Sequence, residues 1–124
     1  MTHPKIMLID DSSTNNLLYA SILSDEGYEV VVCEQAKNAL KSIQKEKPDL
    51  IILDLMMPGM DGFDLLLDMK KHAELANIPV IMLTANATDE SEKRAKSMGV
   101  KAFLTKPTGI KEITEIVKEV LCYS

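Results

Sequence analysis

The stretch IILDLMMPGMDG, residues 51–62, decides how this chain folds. Four aliphatic side chains, Leu50 to Leu53, read as a strand buried on both faces. The run ends in a carboxylate, Asp54, and the chain then turns through Pro58-Gly59 and Asp61-Gly62. Placing a charge at the end of a buried strand costs several kcal/mol unless it is paired. Asp54 therefore needs compensating groups supplied by distant parts of the chain.

Working outward, four more short apolar runs alternate with helical patterns. The strand candidates are 5–10, 28–33, 50–53, 79–84 and 101–105. Between and after them, 13–27, 35–47, 62–72, 88–99 and 110–121 carry the helical period. The first helix has Ser13 as a candidate N-cap and Gly27 as a stop, with Leu18/Ile22 and Tyr19/Leu23 as i,i+4 pairs. The second puts Ala36, Ala39, Leu40 and Ile43 on one face and stops at Pro48. The third has Asp residues early and Lys and His72 late, as the helix dipole prefers. The fourth is capped by Thr88 or Asp89. The fifth carries an apolar stripe of Ile110, Ile113, Ile116, Val117, Val120 and Leu121.

Five strands alternating with five helices make βαβ units, whose right-handed crossovers give a parallel sheet covered on both faces. The expected fold is a single α/β domain over 1–124, a three-layer (βα)5 unit around a parallel five-stranded sheet. In such sheets ligands bind beyond the C-terminal strand ends. Those ends carry Asp10-Asp11, Asp54, Thr84-Ala85 and Lys106-Pro107. Each alone is an ordinary cap, turn or surface residue. Together, three acids in one place repel and raise one another's pKa, and a hard divalent cation with oxygen ligands relieves that repulsion. Lys106 offers a second countercharge. A carboxylate so placed can act as a nucleophile towards phosphorus and form an acyl phosphate.

The totals agree with a small globular domain. There are 124 residues, 46% hydrophobic and 27% charged, with a net charge of −5. The acidic balance argues against nonspecific contact with nucleic acid or an anionic membrane. No apolar run approaches the ~18 residues of a membrane span, and MTHPKIMLIDD lacks the basic region and apolar core of a signal peptide. A cytoplasmic protein is expected. Cys33 and Cys122 are read as two partly buried thiols.

Asp-Asp, then Asp in LDLMMPGMDG, Thr-Ala in MLTAN and Lys-Pro in LTKP form an ordered set that resembles the receiver domain of two-component response regulators, from Lys5 to about Leu121. The resemblance implies a flavodoxin-like fold with strand order 2-1-3-4-5, and that Asp54 accepts a phosphoryl group from a sensor histidine kinase or a histidine phosphotransfer protein. It implies Mg2+ (or Mn2+) held by Asp10, Asp11, Asp54 and the backbone carbonyl of Met56. Lys106 would contact the phosphoryl group, with Lys106–Pro107 cis. Thr84 and Phe103 would be the switch pair, and a downstream effector protein or domain would read the change. The protein would assist its own phosphorylation and dephosphorylation without being a turnover enzyme, as a monomer or a phosphorylation-dependent dimer.

By the same resemblance the kinase would dock near Asn15, Asn16, Tyr19 and the Pro107-Thr108 loop. The output face would be the fourth helix, fifth strand and fifth helix. Met56, Asn86 and Thr108-Gly109 depart from the commonest family pattern. The first two flank the approach to phosphorus. A rival reading is a small Mg2+-dependent aspartyl-phosphate phosphatase of the haloacid dehalogenase type, which resembles D-x-D at its nucleophile; here the triplet is Asp54-Leu55-Met56. A flavodoxin-like cofactor binder using Ser12, Ser13 and Thr14 is the third reading, disfavoured by the repulsion of Asp10-Asp11 for phosphate. No output segment follows Leu121 before Tyr123-Ser124, so either a stand-alone regulator or a receiver cut from a longer protein is expected, with the start at Met1 favouring an N-terminal or independent domain.

Overall fold

In the computed structural model Leu50–Leu53 (β3) is the central strand, and all four of its side chains are buried. Its neighbours are Lys5–Ile9 (β1) on one side and Val80–Thr84 (β6) on the other, both parallel to it. Glu29–Cys33 (β2) and Ala102–Thr105 (β7) close the edges, giving the order β2-β1-β3-β6-β7, all parallel. Two of the seven strands among the described residues, Met56–Met57 (β4) and Met60–Asp61 (β5), form a separate antiparallel hairpin. Counting only sheet strands, the order is the expected 2-1-3-4-5. The structure describes residues 3–122; Met1 and Tyr123–Ser124, hence the outer limits expected for the domain, lie outside the described residues.

Strand alternation divides the interior in two. Met7, Ile9, Ile51, Leu53 and Met82 face one cluster, with Ile43, Phe63, Leu66 and Ala95 from Ala39–Glu46 (α2), Gly62–Lys70 (α3) and Asp89–Ser97 (α4). Ile6, Leu8, Leu50, Ile52, Ile81 and Leu83 face the other, with Tyr19, Leu23, Ile113 and Val117 from Ser13–Asp25 (α1) and Ile110–Cys122 (α5). Both faces of the sheet are thus covered, which explains the unbroken aliphatic runs.

Several local details differ from the sequence reading. Ser12, not Ser13, caps α1: its side chain accepts from the Asn15 amide, because Ser13 already has helical geometry. Residues Ala36–Asn38 form a 3-10 turn before α2 starts at Ala39. Helix α3 ends at Lys70, and the His72 amide closes its last turn onto the Met69 carbonyl. Thr88 is the cap of α4, in a capping box with Ser91. Ile110, placed on the buried stripe by its spacing, is 64% exposed as the first residue of α5, whose buried residues are Ile113 and Val117. The two thiols differ: Cys33 is buried and Cys122 exposed. Edge strands β2 and β7 are only partly buried, since each has a neighbour on one side alone.

Candidate functional site

Four chain segments converge at the C-terminal edge of the sheet. Asp10 follows β1, its amide donating to the Cys33 carbonyl (3.2 Å) and its Oδ1 accepting from the Ser12 amide (2.9 Å). Asp54 follows β3, anchored by donation from its own amide to the Ile9 carbonyl (2.9 Å). The Met56 amide donates to Asp54 Oδ1 (3.3 Å), so the next turn wraps the Asp54 carboxylate. Oxygens of Asp10, Asp11 and Asp54 all lie within 4.8 Å of one another, with Asp10 and Asp54 buried and Asp11 exposed.

The amine arrives from the other side. Lys106 Nζ lies 2.5 Å from Asp10 Oδ2 and 3.5 Å from Asp54 Oδ2. Its backbone is fixed by donation to the Thr84 carbonyl (2.8 Å), and the Lys106–Pro107 bond is cis. Burial alone would lower the Lys106 pKa; its hydrogen bond to Asp10 and the charges of Asp10 and Asp54 outweigh that and hold it above the ordinary lysine value. Asp54 is held above the ordinary carboxylate value. Burial is the main cause; Lys106 pulls it down, Asp10 pushes it up, and the Met56 amide and the Lys106 hydrogen bond draw it back. One lysine therefore does not satisfy the acids.

Carboxylate oxygens at this spacing suit a small hard cation. The donor set could hold a metal ion, and among the described residues it is the one cluster of this kind. The exposed Met56 thioether is a soft donor beside a hard oxygen set and adds nothing to it.

Thr84 ends β6 almost fully buried, its Oγ1 accepting from the Asn86 amide (3.2 Å). Phe103, on the adjacent strand β7, is half-buried and packs against the cluster that contains Met82 and Leu53. Gly62 is needed where the hairpin returns to the site. Its amide donates to the Leu55 carbonyl (2.7 Å), and a Cβ there would meet Leu55 Cα at 3.0 Å and the Asp54 carbonyl oxygen at 3.1 Å.

Every site residue read from the sequence lies in this region or on the strands that lead to it, but the docking surface needs correction. Asn16 and Tyr19 are buried and are not available to a partner; the exposed residues of that turn are Leu17 and Leu18. Asn16 points inward, donating from Nδ2 to the Asp10 carbonyl (2.8 Å) and to Glu34 Oε2 (3.3 Å). The Tyr19 hydroxyl accepts from the Thr108 amide (3.4 Å), and the Thr108 hydroxyl donates to Glu112. Thr108 thus closes the loop after Pro107 by hydrogen bonds. Neither Asn16 nor Glu34 was legible as part of the site, because a helical asparagine and a glutamate after a strand both read as surface residues.

Comparison with known proteins agrees with this geometry. The model of the response regulator receiver domain matches residues 6–118. The chain is similar to sporulation initiation phosphotransferase F of Bacillus subtilis, 36% identical over 121 residues covering 98% of this chain and 96% of that protein. It is 30% identical to the polar-differentiation response regulator DivK of Brucella anthropi, with 94% of each covered. Among solved structures, the chemotaxis protein CheY4 of Vibrio cholerae superposes with a TM-score of 0.89 at 28% identity, covering 96% of this chain and 99% of that one. The dehalogenase-type phosphatase finds no support in these likenesses. An ordered acid–acid–lysine edge on a 2-1-3-4-5 sheet, matched along nearly its whole length, shows that this chain belongs to the response regulator receiver domain family of two-component signalling.

Proposed function

We propose that Asp54 is the phosphoacceptor of a phosphorelay. The observation that carries this reading is the setting of its carboxylate: at the end of the central buried strand, 3.5 Å from an amine and in contact range of two further acids. An Asp54 oxygen attacks phosphorus in line with the leaving group. A P–O bond forms as the P–N bond to a donor histidine, or the P–O bond to acetate, breaks, and the leaving group keeps the electron pair. Lys106 places its charge on a phosphoryl oxygen. The Thr84 hydroxyl donates to another, and Phe103 turns inward behind it.

Asp10, Asp11, Asp54 and the Met56 carbonyl are the ligands we assign to Mg2+ or Mn2+, which when bound neutralises developing charge on the phosphoryl oxygens. The donors are a sensor histidine kinase or a phosphotransfer protein, docking on Leu17, Leu18 and the Pro107 loop; an effector protein or domain reads the modified state. The same groups that speed transfer also support hydrolysis of the acyl phosphate, so the protein assists its own dephosphorylation. We read residues 1–124 as one receiver domain that carries this chemistry.

The test is intact mass after incubation with acetyl phosphate and Mg2+. One phosphoryl unit is expected in the wild type and none in Asp54→Asn. Retention of the added mass in Asp54→Asn would remove the assignment.

A further inference from the structure

Asn16 is a buried polar side chain that the chemistry proposed above does not use. It is 4% exposed, and its amide nitrogen donates both hydrogens to acceptors beside the acid pair. One acceptor is the carbonyl of the peptide joining Asp10 to Asp11. The preceding peptide, Ile9–Asp10, is held by donation from the Asp10 amide to the Cys33 carbonyl. The other acceptor, Glu34, is exposed and follows β2 directly. Glu34 and Asp11 line one cleft of about 370 Å3, together with Lys37 and with Met57, Pro58 and Gly59 of the hairpin turn.

A donor-only nitrogen between a carbonyl and a carboxylate does two things. It fixes the plane from which Asp10 and Asp11 diverge, and it draws a fourth negative charge to the rim of the cluster. Glu34 lies outside the set of oxygens within 4.8 Å of one another. It therefore acts beyond the direct ligands, by its field. Partners one shell out from metal ligands commonly tune affinity by about 10- to 100-fold.

We propose that Asn16 and Glu34 are a positioning pair that sets the affinity of the Asp10–Asp11–Asp54 cluster for Mg2+. Asn16 aligns the paired acids and Glu34 supplies the outer charge that Asn16 orients. The inference rests on the receiver reading of the cluster as a Mg2+ site and adds two residues to it.

Calorimetric titration of the full chain with MgCl2, without phosphodonor, tests it. Glu34→Gln should weaken Mg2+ binding roughly 10-fold while its melting temperature in EDTA stays level or rises. Asn16→Ala should weaken binding at least as much, and the double variant should bind no more weakly than Asn16→Ala alone. Should Asn16→Ala fold poorly, Glu34→Gln decides by itself, since its side chain is exposed. Wild-type Mg2+ affinity in Glu34→Gln, or full additivity of the two losses, would overturn the pair. Asp11→Ala is the control for the underlying reading: unchanged affinity there would sink the Mg2+ site itself, whereas loss in Asp11→Ala with none in Glu34→Gln would sink only the pair.

Discussion

Lys106→Met removes the one amine in the acid cluster while keeping the length of the side chain. The groups it touches are nearly buried: relative exposures are 11% for the Lys106 side chain, 10% for Asp10 and 9% for Asp54. At an effective dielectric near 20, a pair 3.5 Å apart attracts by roughly 5 kcal/mol, and the closer Asp10 pair by more. Desolvation of the three ions offsets most of this, so the gross figure is not the loss. Removing one partner strands the other charges, which costs about 3–5 kcal/mol for buried pairs. The cup is open at Asp11, so the lower end, about 3 kcal/mol, is expected here.

For a 124-residue domain this corresponds to a fall in melting temperature of about 12 °C. The assay is thermal unfolding by circular dichroism in EDTA at pH 7.5. Lys106 is held above its ordinary value of 10.5, so its contribution is complete below that value and fades only as pH rises through the higher folded value. The full loss should therefore appear at pH 7.5. Added Mg2+ should recover more stability in the variant than in the wild type, because more acid charge is left uncompensated. A variant melting within about 2 °C of the wild type in EDTA, under half the shift from 1 kcal/mol, would refute the idea that this amine holds the acids together.

Asp54→Asn should have the opposite sign. Asp54 is held above its usual value of 3.8, so its ionised form costs stability above the folded pKa, and that cost is relieved as pH falls through it. Urea unfolding in EDTA should show the variant more stable than the wild type at pH 7, with the gap closing towards pH 3.8. Gly62→Ala should destabilise by about 1–3 kcal/mol, because the new Cβ meets backbone atoms of Leu55 and Asp54 that cannot step aside; phosphorylation by acetyl phosphate should slow with it. Met56 is exposed and apolar next to the acceptor. Met56→Asn should shorten the life of the acyl phosphate, by part of the roughly 100-fold that a positioned polar group supplies to proton transfer, followed by loss of radiolabel.

The parts of this molecule that a sequence discloses are those set by period and by ordered motif. Leu50–Leu53, Val80–Thr84 and the alternating helices gave the parallel sheet and its covering layers, because burial on two faces leaves an unbroken aliphatic run; the strand order followed from the family resemblance. Asp10, Asp11, Asp54 and Lys106 were legible because a parallel sheet must bring its strand ends to one edge. What stayed hidden depends on angles that period does not encode. Ser12 rather than Ser13 caps α1 because the cap is fixed by one residue's backbone dihedrals. The Met56–Met57 and Met60–Asp61 hairpin has two residues per strand, too few to show alternation. Asn16 and Tyr19 were read as docking residues, yet the rotation of α1 turns them inward and leaves Leu17 and Leu18 outside.

The same hydrogen bonds that build the site define how a charge added at Asp54 can be felt at a distance. Thr84 Oγ1 already accepts from the Asn86 amide, and the Thr84 carbonyl accepts from Lys106. If the hydroxyl turns to a phosphoryl oxygen, the Asn86 bond is lost, at a net cost of about 1 kcal/mol that a charge-assisted bond exceeds. The segment so released, Ala85 to Ala87, is exposed and runs straight into the Thr88 cap of α4. That helix buries only Ala95 among its own residues, so the sheet grips it lightly. Its other visible tether is Arg94, whose guanidinium lies 4.2 Å over the ring of Phe63, the second residue of α3; such a contact is worth about 0.5–2 kcal/mol. Phe63 follows Gly62, whose amide is bonded to Leu55 beside the acceptor. Helix α4 is therefore connected to Asp54 by two short routes, one through Thr84 and one through Gly62 and Phe63. Both are of the order of a single weak interaction, which is the scale at which one phosphoryl group can tip the balance between two positions of a helix.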